Sequence, residues 1–284
     1  MKKNKIKKSG ILLIYLIWVN IVFVSLVSAQ VIKDEVEELK GVDVEEHLGD
    51  KIPMDLRFID DSGNEVTIGS YFNQEQPVLL VLGYYKCPML CNLVFNGLIE
   101  GVRSLDIKPG EDFQMVAVSI NHREDFNLAA AKKANYLTAM DIPSAEKGWK
   151  FLVGDSTQSQ ALADAVGFQY RYDEEIGQYA HPAVIYLLTE NGTISRYLYG
   201  VEFKTNDLKF SLLEASEGKI GNTIDRIILY CYHYDPDSKG YVVFAGNVMR
   251  LGGAITLIVL SVFVGLLFYR ERRKKNQQIS VVVH

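Results

Sequence analysis

Apolar and polar positions along the chain predict a domain in which buried strands alternate with helices. Val78–Tyr84 and Phe113–Ile120 are short continuous apolar runs, the pattern of strands that are buried on both faces of a sheet. Upstream of them, Met54–Asp60 and Glu65–Ile68 flank Asp61-Ser62-Gly63-Asn64. Because this tetrapeptide is a strong turn signal, a hairpin is predicted there.

The remaining pattern adds further strands and helices. Additional strands are predicted at Trp149–Val153, Phe168–Tyr172, Ala183–Thr189 and Thr193–Tyr199. Helices are predicted from Cys87 to about Ser104 and over Glu124–Met140, Thr157–Val166, Asn206–Ala215 and Ile220–Cys231. This alternation, which ends in a hairpin and a helix, predicts an α/β fold whose sheet is covered by helices on both faces.

Two long apolar segments lie outside this pattern, one near each end of the chain. The first predicts export across the membrane. Five lysines within Met1–Lys8 precede the apolar stretch Ile11–Val27, and small residues follow it up to Ala29. This order is typical of a signal peptide, here residues 1–29 with cleavage after Ala29. Because the apolar stretch is long for a signal peptide, an uncleaved membrane anchor is the alternative.

The second apolar segment predicts a transmembrane helix at residues 251–269. Leu251–Tyr269 contains no charged residue, and a basic cluster follows it over Arg270–Lys275. A segment of this length can cross the hydrocarbon core, and the positive-inside rule keeps the basic tail, residues 270–284, in the cytoplasm. The alternative interpretation of Leu251–Tyr269 is a buried core helix.

Both segments together predict a single-pass protein of a bacterial-type cell membrane. Its main part would lie on the extracytoplasmic, periplasmic side, where thiols can be oxidised. Between the segments we assign an acidic, exposed lead-in at residues 30–50, a folded domain at 51–217 and a juxtamembrane segment at 218–250.

The composition agrees with one well-packed domain plus accessory segments. The chain has 284 residues, of which 48% are hydrophobic and 23% are charged, and its formal net charge is −5. This mild acidity provides no reason to expect a nucleic acid partner. Three cysteines are too few for a disulfide scaffold, so they indicate chemistry or metal binding.

The most informative motif is Cys-Pro-Met-Leu-Cys at positions 87–91, directly after an apolar strand. Cys87 and Cys91 are four residues apart, which places both sulfurs on one face of a helical turn, and the proline suits the first helical position. A helix N-terminus lowers the pKa of nearby thiols. With His181, two thiolates and one imidazole would form a soft site that suits Cu(I). The same two sulfurs could also close into a disulfide.

A cysteine pair on the first strand-to-helix turn of this element order is the thioredoxin-like layout. In open α/β sheets, ligands bind at the carboxyl ends of the strands, and the cysteine pair lies there. In this layout a proline, often with a cis peptide bond, begins the strand that faces the cysteines, and His181-Pro182 occupies that place.

These residues resemble the SCO/SenC family of copper-binding thioredoxin-fold proteins over roughly residues 50–215. The matching features are the two cysteines of the 84–91 turn, His181 ahead of the strand 184–188, and the loop after the strand 116–120. The resemblance implies that Cys87, Cys91 and His181 bind copper. It also implies a periplasm-facing protein that helps to metallate the dinuclear copper centre of cytochrome c oxidase, although some members of the family act as thiol reductants.

The chain departs from the family in the third feature, where the usual pattern is Asp-Pro-x-x-Asp. Asn121 and His122 replace the first Asp and the Pro, whereas Asp125 keeps the second Asp. His122 is a candidate extra ligand. Asp125 is either a site residue or a carboxylate that stabilises a helix N-terminus. Met89, two residues from each cysteine, is expected to point away from the sulfurs and to pack in the core.

Cys231 and His233 form a candidate second metal site close to the predicted membrane helix. A cysteine and a histidine two residues apart can share a metal in an extended or loop conformation. The interpretation that we favour is less specific: Cys231 is buried at a helix end, and His233 belongs to a turn with the following Asp-Pro.

Four functions are compatible with the motif. We favour a copper chaperone for Cu(I), with Cu(II) left open, whose partners are the oxidase copper subunit, an upstream copper donor or thiol reductant, and the membrane. A thiol–disulfide oxidoreductase would use Cys87 and Cys91 without needing His181. A peroxiredoxin-type peroxidase is disfavoured because Tyr84 stands where that family has Thr or Ser. A sensor would have to signal through the short tail 270–284.

Overall fold

The computed structural model describes most of the predicted domain. The described residues are 41–72, 75–217, 232–235, 240–243, 247, 249–250, 252–263 and 266. The predicted signal peptide 1–29, the first part of the lead-in and the helix predicted at Ile220–Cys231 lie outside them.

Strands and helices alternate along this domain much as predicted. The strands are β1 (Arg57–Ile59), β2 (Glu65–Thr67), β3 (Val78–Gly83), β4 (Gln114–Ser119), β5 (Trp149–Leu152), β6 (Arg171–Asp173), β7 (Gln178–Ala180), β8 (Val184–Leu188), β9 (Ile194–Tyr199), β10 (Tyr232–Asp235) and β11 (Gly240–Val243). The helices are α1 (Leu90–Arg103), α2 (Phe126–Met140), α3 (Ala145–Gly148), α4 (Ser156–Ala165) and α5 (Thr205–Ala215), and a 3-10 helix spans Ile68–Tyr71.

A five-stranded mixed sheet in the order β5-β4-β3-β8-β9 forms the centre of the domain. β3, β4 and β5 run parallel, whereas β8 and β9 are antiparallel to their neighbours. Every residue of β3 is buried, as its continuous apolar sequence predicts. Because β8 is antiparallel to β3, its first residues lie at the carboxyl end of β3. This order is the thioredoxin-like arrangement that the sequence predicts.

Helices cover both faces of the sheet, as two neighbouring residues of β9 demonstrate. Arg196 Nη2 lies 2.6 Å from Glu214 Oε2 on α5. The next residue, Tyr197, donates its hydroxyl to the carbonyl of Val166 at the end of α4, over 3.2 Å. Successive side chains of a strand point to opposite faces, so α5 and the end of α4 lie on opposite sides.

An aromatic cluster fixes α1 against α2 and β5. Phe95 of α1 stacks on Tyr136 of α2, with ring centroids 4.9 Å apart. Trp149 and Phe151 of β5 complete the cluster, and Phe95 lies 6.0 Å from Phe151. Buried aromatic contacts of this kind stabilise by large apolar area as well as by ring geometry. The cluster holds α1, and therefore Cys91 in its first turn, at a set distance from the sheet.

The hairpin β6–β7 is the main element that the sequence pattern did not predict. A single strand was predicted at Phe168–Tyr172, whereas the structure has two short antiparallel strands in this region. The turn between them is held by local hydrogen bonds, because Asp173 Oδ1 accepts the backbone N–H groups of Glu175 and Ile176. Gly177 in the same turn has a φ of +66°. The short, half-buried strands have no clear apolar alternation, so periodicity did not identify them.

Residues 41–50 and 252–263 lie near the two ends of the described part of the chain. Residues 41–50 are mostly exposed, but His47 is half-buried, because Nδ1 lies 3.1 Å from the carbonyl of Ala165 and its backbone N–H donates to the Tyr197 hydroxyl. At the other end, residues 252–263 are helical. In the parts of the chain that the structure describes, no helix is both long and apolar enough to cross a membrane.

Candidate metal centre

Three chain segments meet at the carboxyl end of β3. The cysteine loop leaves β3, a second loop leaves the parallel neighbour β4, and His181 lies just ahead of the antiparallel neighbour β8. The hairpin β6–β7 contacts this edge through Tyr179, whose ring lies 5.6 Å from that of Tyr84. The sheet therefore brings His181 to cysteines that are about ninety residues away in sequence.

Cys87, Cys91 and His181 converge with the geometry of a ligand set. Cys91 Sγ lies 3.0 Å from His181 Nε2, and the three ligand atoms lie within 4.8 Å of one another. All three residues are buried, with exposed fractions of 5%, 3% and 7%. Among the described residues this is the one group of three or more His, Cys, Asp or Glu side chains with converging ligand atoms.

The beginning of α1 differs from the prediction. The sequence placed both cysteines in a helical turn with Pro88 at the first helical position, whereas α1 begins at Leu90, so that Cys87 and Pro88 precede it. The physical reason is that Cys87 stays outside the helix, where its Sγ accepts the backbone N–H of Cys91 at 3.3 Å and satisfies one of the donors that a helix N-terminus leaves unpaired. The Cys87 sulfur thus lies at the positive end of the helix dipole.

Space for the second sulfur comes from the last residue of β3. A Cβ at Gly83 would lie 3.1 Å from Cys91 Sγ, so a larger residue would crowd the thiol. The backbone N–H of Tyr84 donates to the same sulfur at 3.4 Å. The Cys91 sulfur is therefore packed directly against the end of the central strand.

The orientation of His181 leaves one ring nitrogen for the sulfurs. His181 Nδ1 lies 2.9 Å from the carbonyl oxygen of Pro182, and since a carbonyl can only accept, Nδ1 carries the proton. Nε2 is therefore the ring nitrogen that faces the sulfurs, and it is the atom that would coordinate a metal there. Every peptide bond of the described residues is trans, that between His181 and Pro182 included.

The two cysteines share a proton unequally. The hydrogen bond from the Cys91 thiol lowers the pKa of Cys87 far below the ordinary range; burial opposes this shift, and His181 adds to it. The same hydrogen bond, burial and the negative charge of Cys87 raise the pKa of Cys91. Cys87 is therefore the thiolate of the pair and Cys91 the thiol.

Glu124 is a functional residue that the sequence analysis missed. Its buried carboxylate accepts the backbone N–H groups of Tyr85 and Lys86, each at 2.7 Å, and the Ser119 hydroxyl, also at 2.7 Å. These bonds tie the start of the cysteine loop to the loop that leaves β4. The available signal was an acidic residue directly before the helix-capping Asp125, at a sheet edge where ligands bind.

Two further side chains hold the cysteine loop. Asn92 donates to the Cys87 carbonyl at 3.0 Å and accepts the Tyr136 hydroxyl of α2 at 2.9 Å. The buried Tyr85 hydroxyl lies 2.8 Å from the Leu152 carbonyl of β5. The backbone on either side of the first cysteine is thus fixed to α2 and to the sheet.

Asp125 and His122 both lie outside the three-ligand group. Asp125 is the N-cap of α2 and accepts the backbone N–H of Leu128 at 2.9 Å, which is the structural role considered from sequence. His122 lines a separate cavity of about 680 Å³ with Arg57 and Gln158. The structure therefore does not bring the candidate extra ligand to the cysteines.

Met89 is exposed, and one of the two residues of the candidate second site lies in a described strand. The expectation that Met89 packs in the core is wrong, since 70% of its surface is exposed. The physical reason is its position at the N-cap of α1, ahead of the buried face of the helix, which begins at Cys91. Cys231 lies outside the described residues, and His233 lies in β10, which pairs with β11. The second site stays a prediction.

The fold and the site together define a thioredoxin-like protein with a buried Cys–Cys–His group. The family model described as SCO1/SenC matches residues 44–209, which is more than half of the chain. The chain belongs to the SCO1/SenC family. A comparison with curated protein sequences finds no match.

Solved structures with the same fold include a putative electron transfer protein from Aquifex aeolicus. It is 24% identical, has a TM-score of 0.54, and the match covers 61% of this chain and 96% of that one. Arabidopsis thaliana ScoI with copper bound is 18% identical over 60% of this chain and 98% of its own, with a TM-score of 0.46. Yeast Sco1 with copper bound is 18% identical over 63% and 93%, with a TM-score of 0.45.

The unequal sharing of the proton predicts a thiolate that persists in acid. A pKa of Cys87 below the ordinary range means that its charged form survives at about pH 5, where a free cysteine of pKa about 8.5 is protonated. Ultraviolet thiolate absorbance of the reduced protein, in a Cys231→Ser background, should report one thiolate per chain at that pH. Cys91→Ala removes the largest cause, so the signal should decrease. A wild-type signal equal to that of urea-unfolded protein would contradict the assignment.

The contacts of Glu124 predict that Glu124→Gln weakens the cysteine loop. The amide cannot accept from both loop N–H groups and from Ser119, so the free energy of unfolding should decrease by about 1.5–3 kcal/mol. Urea titration measures this change. Asp125→Asn is the matched control: it makes the same chemical change one residue later, but asparagine caps as well as aspartate, so less than about 0.5 kcal/mol is expected. Equal losses in both variants would contradict the role of Glu124.

Proposed function

We propose that this protein is a membrane-anchored, extracytoplasmic copper chaperone that delivers Cu(I) to the dinuclear copper centre of cytochrome c oxidase. The observation that carries the proposal is the convergence of Cys87, Cys91 and His181 within 4.8 Å. Membership of the SCO1/SenC family supports it, because copper delivery to this centre is the activity that the family resemblance implies. The oxidase copper subunit is the proposed acceptor, and an upstream copper donor or thiol reductant is the proposed supplier.

The donor set fits Cu(I) better than other common ions. Two sulfurs and one imidazole nitrogen are soft ligands, and Cu(I) accepts three of them, whereas structural zinc sites use four. Cys87 is the thiolate of the pair, and because His181 uses Nδ1 for the Pro182 carbonyl, Nε2 is the ring nitrogen that faces the sulfurs. Cu(II) binding by the same residues is left open.

The two sulfurs also provide a redox switch. Oxidation of Cys87 and Cys91 by a disulfide-bonded oxidant would form one S–S bond, release two protons and transfer two electrons to the oxidant, which becomes a dithiol. The sulfurs of that disulfide no longer bind copper as thiolates, so loading requires the reduced pair. Both cysteines are free in this structure.

Thiol–disulfide exchange is the second candidate function, and one observation favours it. Cys87 is the thiolate of the pair, with Cys91 beside it as the resolving thiol. Against it stands the 3.0 Å contact of His181 with Cys91, which a dithiol exchanger does not need. His181 therefore discriminates the two functions.

The membrane location is proposed from the sequence at both ends of the chain. The stretch Ile11–Val27 with its basic start supports export, and the uncharged segment Leu251–Tyr269 followed by Arg270–Lys275 supports an anchor with its tail in the cytoplasm. Within residues 252–263, the large apolar side chains are exposed, as expected for a surface in contact with lipid. Tethering would raise the effective concentration of copper near a membrane-embedded acceptor.

Copper binding by the reduced protein tests the function. We expect one tightly bound Cu(I) per chain, weaker binding in His181→Ala because one of three ligands is lost, and unchanged binding in the matched variant Cys231→Ala. Equilibrium competition with a Cu(I) chelator measures both stoichiometry and affinity, and an insulin disulfide-reduction assay is run in parallel.

Each other outcome of this experiment has a clear meaning. Weak copper binding together with rapid, His181-independent disulfide reduction would reject the chaperone and support the oxidoreductase. Two copper ions per chain that decrease to one in Cys231→Ala would establish the second site at Cys231 and His233.

Protease protection in spheroplasts of a Gram-negative host tests the location. External protease should degrade the main domain but spare a tag placed after His284, because the tail is expected on the cytoplasmic side. A variant without residues 1–29 is the control and should be fully protected. Loss of the tag in intact spheroplasts would contradict the proposed orientation.

A further inference from the structure

The buried position of the three ligands poses a problem for copper transfer. Cys87, Cys91 and His181 expose at most 7% of their surfaces, so they offer little surface to a partner that carries copper. Copper that arrives on another protein or chelator must lose those ligands before it gains these. A bare Cu(I) ion between the two sets would be a costly intermediate, because its soft ligands are lost before new ones bind.

Met89 is a soft side chain that lies close to these buried residues in sequence. It lies two residues from each cysteine, at the N-cap of the helix that carries Cys91. Unlike the three ligands, its side chain is 70% exposed. A thioether binds Cu(I), carries no proton that must leave first, and has little affinity for harder ions.

The surroundings leave this side chain free to move. The loop backbone is fixed by Glu124 before the first cysteine and by Asn92 after it. The long, unbranched side chain of Met89 has three rotatable bonds and emerges from that fixed backbone into solvent. Rotation about these bonds can therefore change the position of the thioether without a change in the loop.

We propose that the Met89 thioether is a relay ligand, which takes Cu(I) from an external donor and passes it to Cys87 and Cys91. This inference rests on the proposed copper chaperone function and extends it by naming a residue through which the ion enters and leaves the site.

Ligand exchange accounts for every atom and charge in this relay. Met89 Sδ donates a lone pair to Cu(I) as one donor ligand departs with its own lone pair. The Cys87 thiolate and the Cys91 sulfur then replace the remaining donor ligands, which leave with their own lone pairs, and the proton of Cys91 leaves to water. Met89 dissociates as His181 Nε2 coordinates. Copper remains Cu(I) throughout, so no electron acceptor or donor is needed.

Transfer kinetics test the relay with the full chain and bathocuproine disulfonate as the Cu(I) donor. Met89→Leu keeps the size and apolar character of the side chain but removes the sulfur. We expect copper transfer in both directions to slow by about tenfold, while the equilibrium distribution of copper stays within about twofold of wild type. Stopped-flow absorbance of the chelator complex measures the rates.

Leu93→Ala is the matched control. Leu93 lies one turn further along α1 and is 47% exposed, so its loss removes neighbouring apolar surface but no sulfur. We expect wild-type rates for this variant. Because both side chains are exposed, both variants should fold, and circular dichroism checks that they do.

Three results would overturn the relay. Met89→Leu at the wild-type rate would show that the sulfur is unnecessary, and equal slowing by Leu93→Ala would assign the effect to apolar docking. A Met89→Leu affinity that decreases more than about tenfold would make Met89 a permanent ligand instead. If wild-type protein takes up no copper at equilibrium, the chaperone function fails and the relay with it, whereas the other three results leave that function intact.

Discussion

The geometry of the site depends on one buried carboxylate. Among the described residues, Glu124 is the one acidic residue that is buried. Its oxygens accept two backbone N–H groups of the cysteine loop and one hydroxyl of β4. A buried charge is costly unless hydrogen bonds replace its water, and three donors do so here. Without them the turn between β3 and α1 would have unpaired amide groups at the place where Cys87 must be held.

Two other constraints position the rest of the Cys–Cys–His group around the same loop. The aromatic cluster around Phe95 holds α1, which carries Cys91, and the antiparallel pairing of β8 with β3 brings His181 to the sulfurs. The ligands are therefore placed by a helix, a strand end and a loop that is tied down on both sides. A site held this rigidly binds an ion without first ordering its ligands, which lowers the free-energy cost of binding.

Much of the fold could be predicted because its signals are local. The apolar run of β3 and the turn Asp61-Ser62-Gly63-Asn64 between β1 and β2 each depend on residues that are close in sequence. The cysteine spacing and the place of His181 before a strand likewise indicated the three-ligand group. The hairpin β6–β7 was missed, because its short strands carry no period that separates them from a loop.

By itself, the sequence determined the order of strands and helices, the thioredoxin-like layout and the three soft side chains that converge at the candidate site. Only the tertiary structure decided that Glu124 supports the cysteine loop, that His122 faces a separate cavity and that Met89 is exposed. The physical reason is that burial and hydrogen-bond partnership depend on which distant segments pack together. A side chain two residues from a cysteine has the same local pattern whether it enters the core or faces solvent.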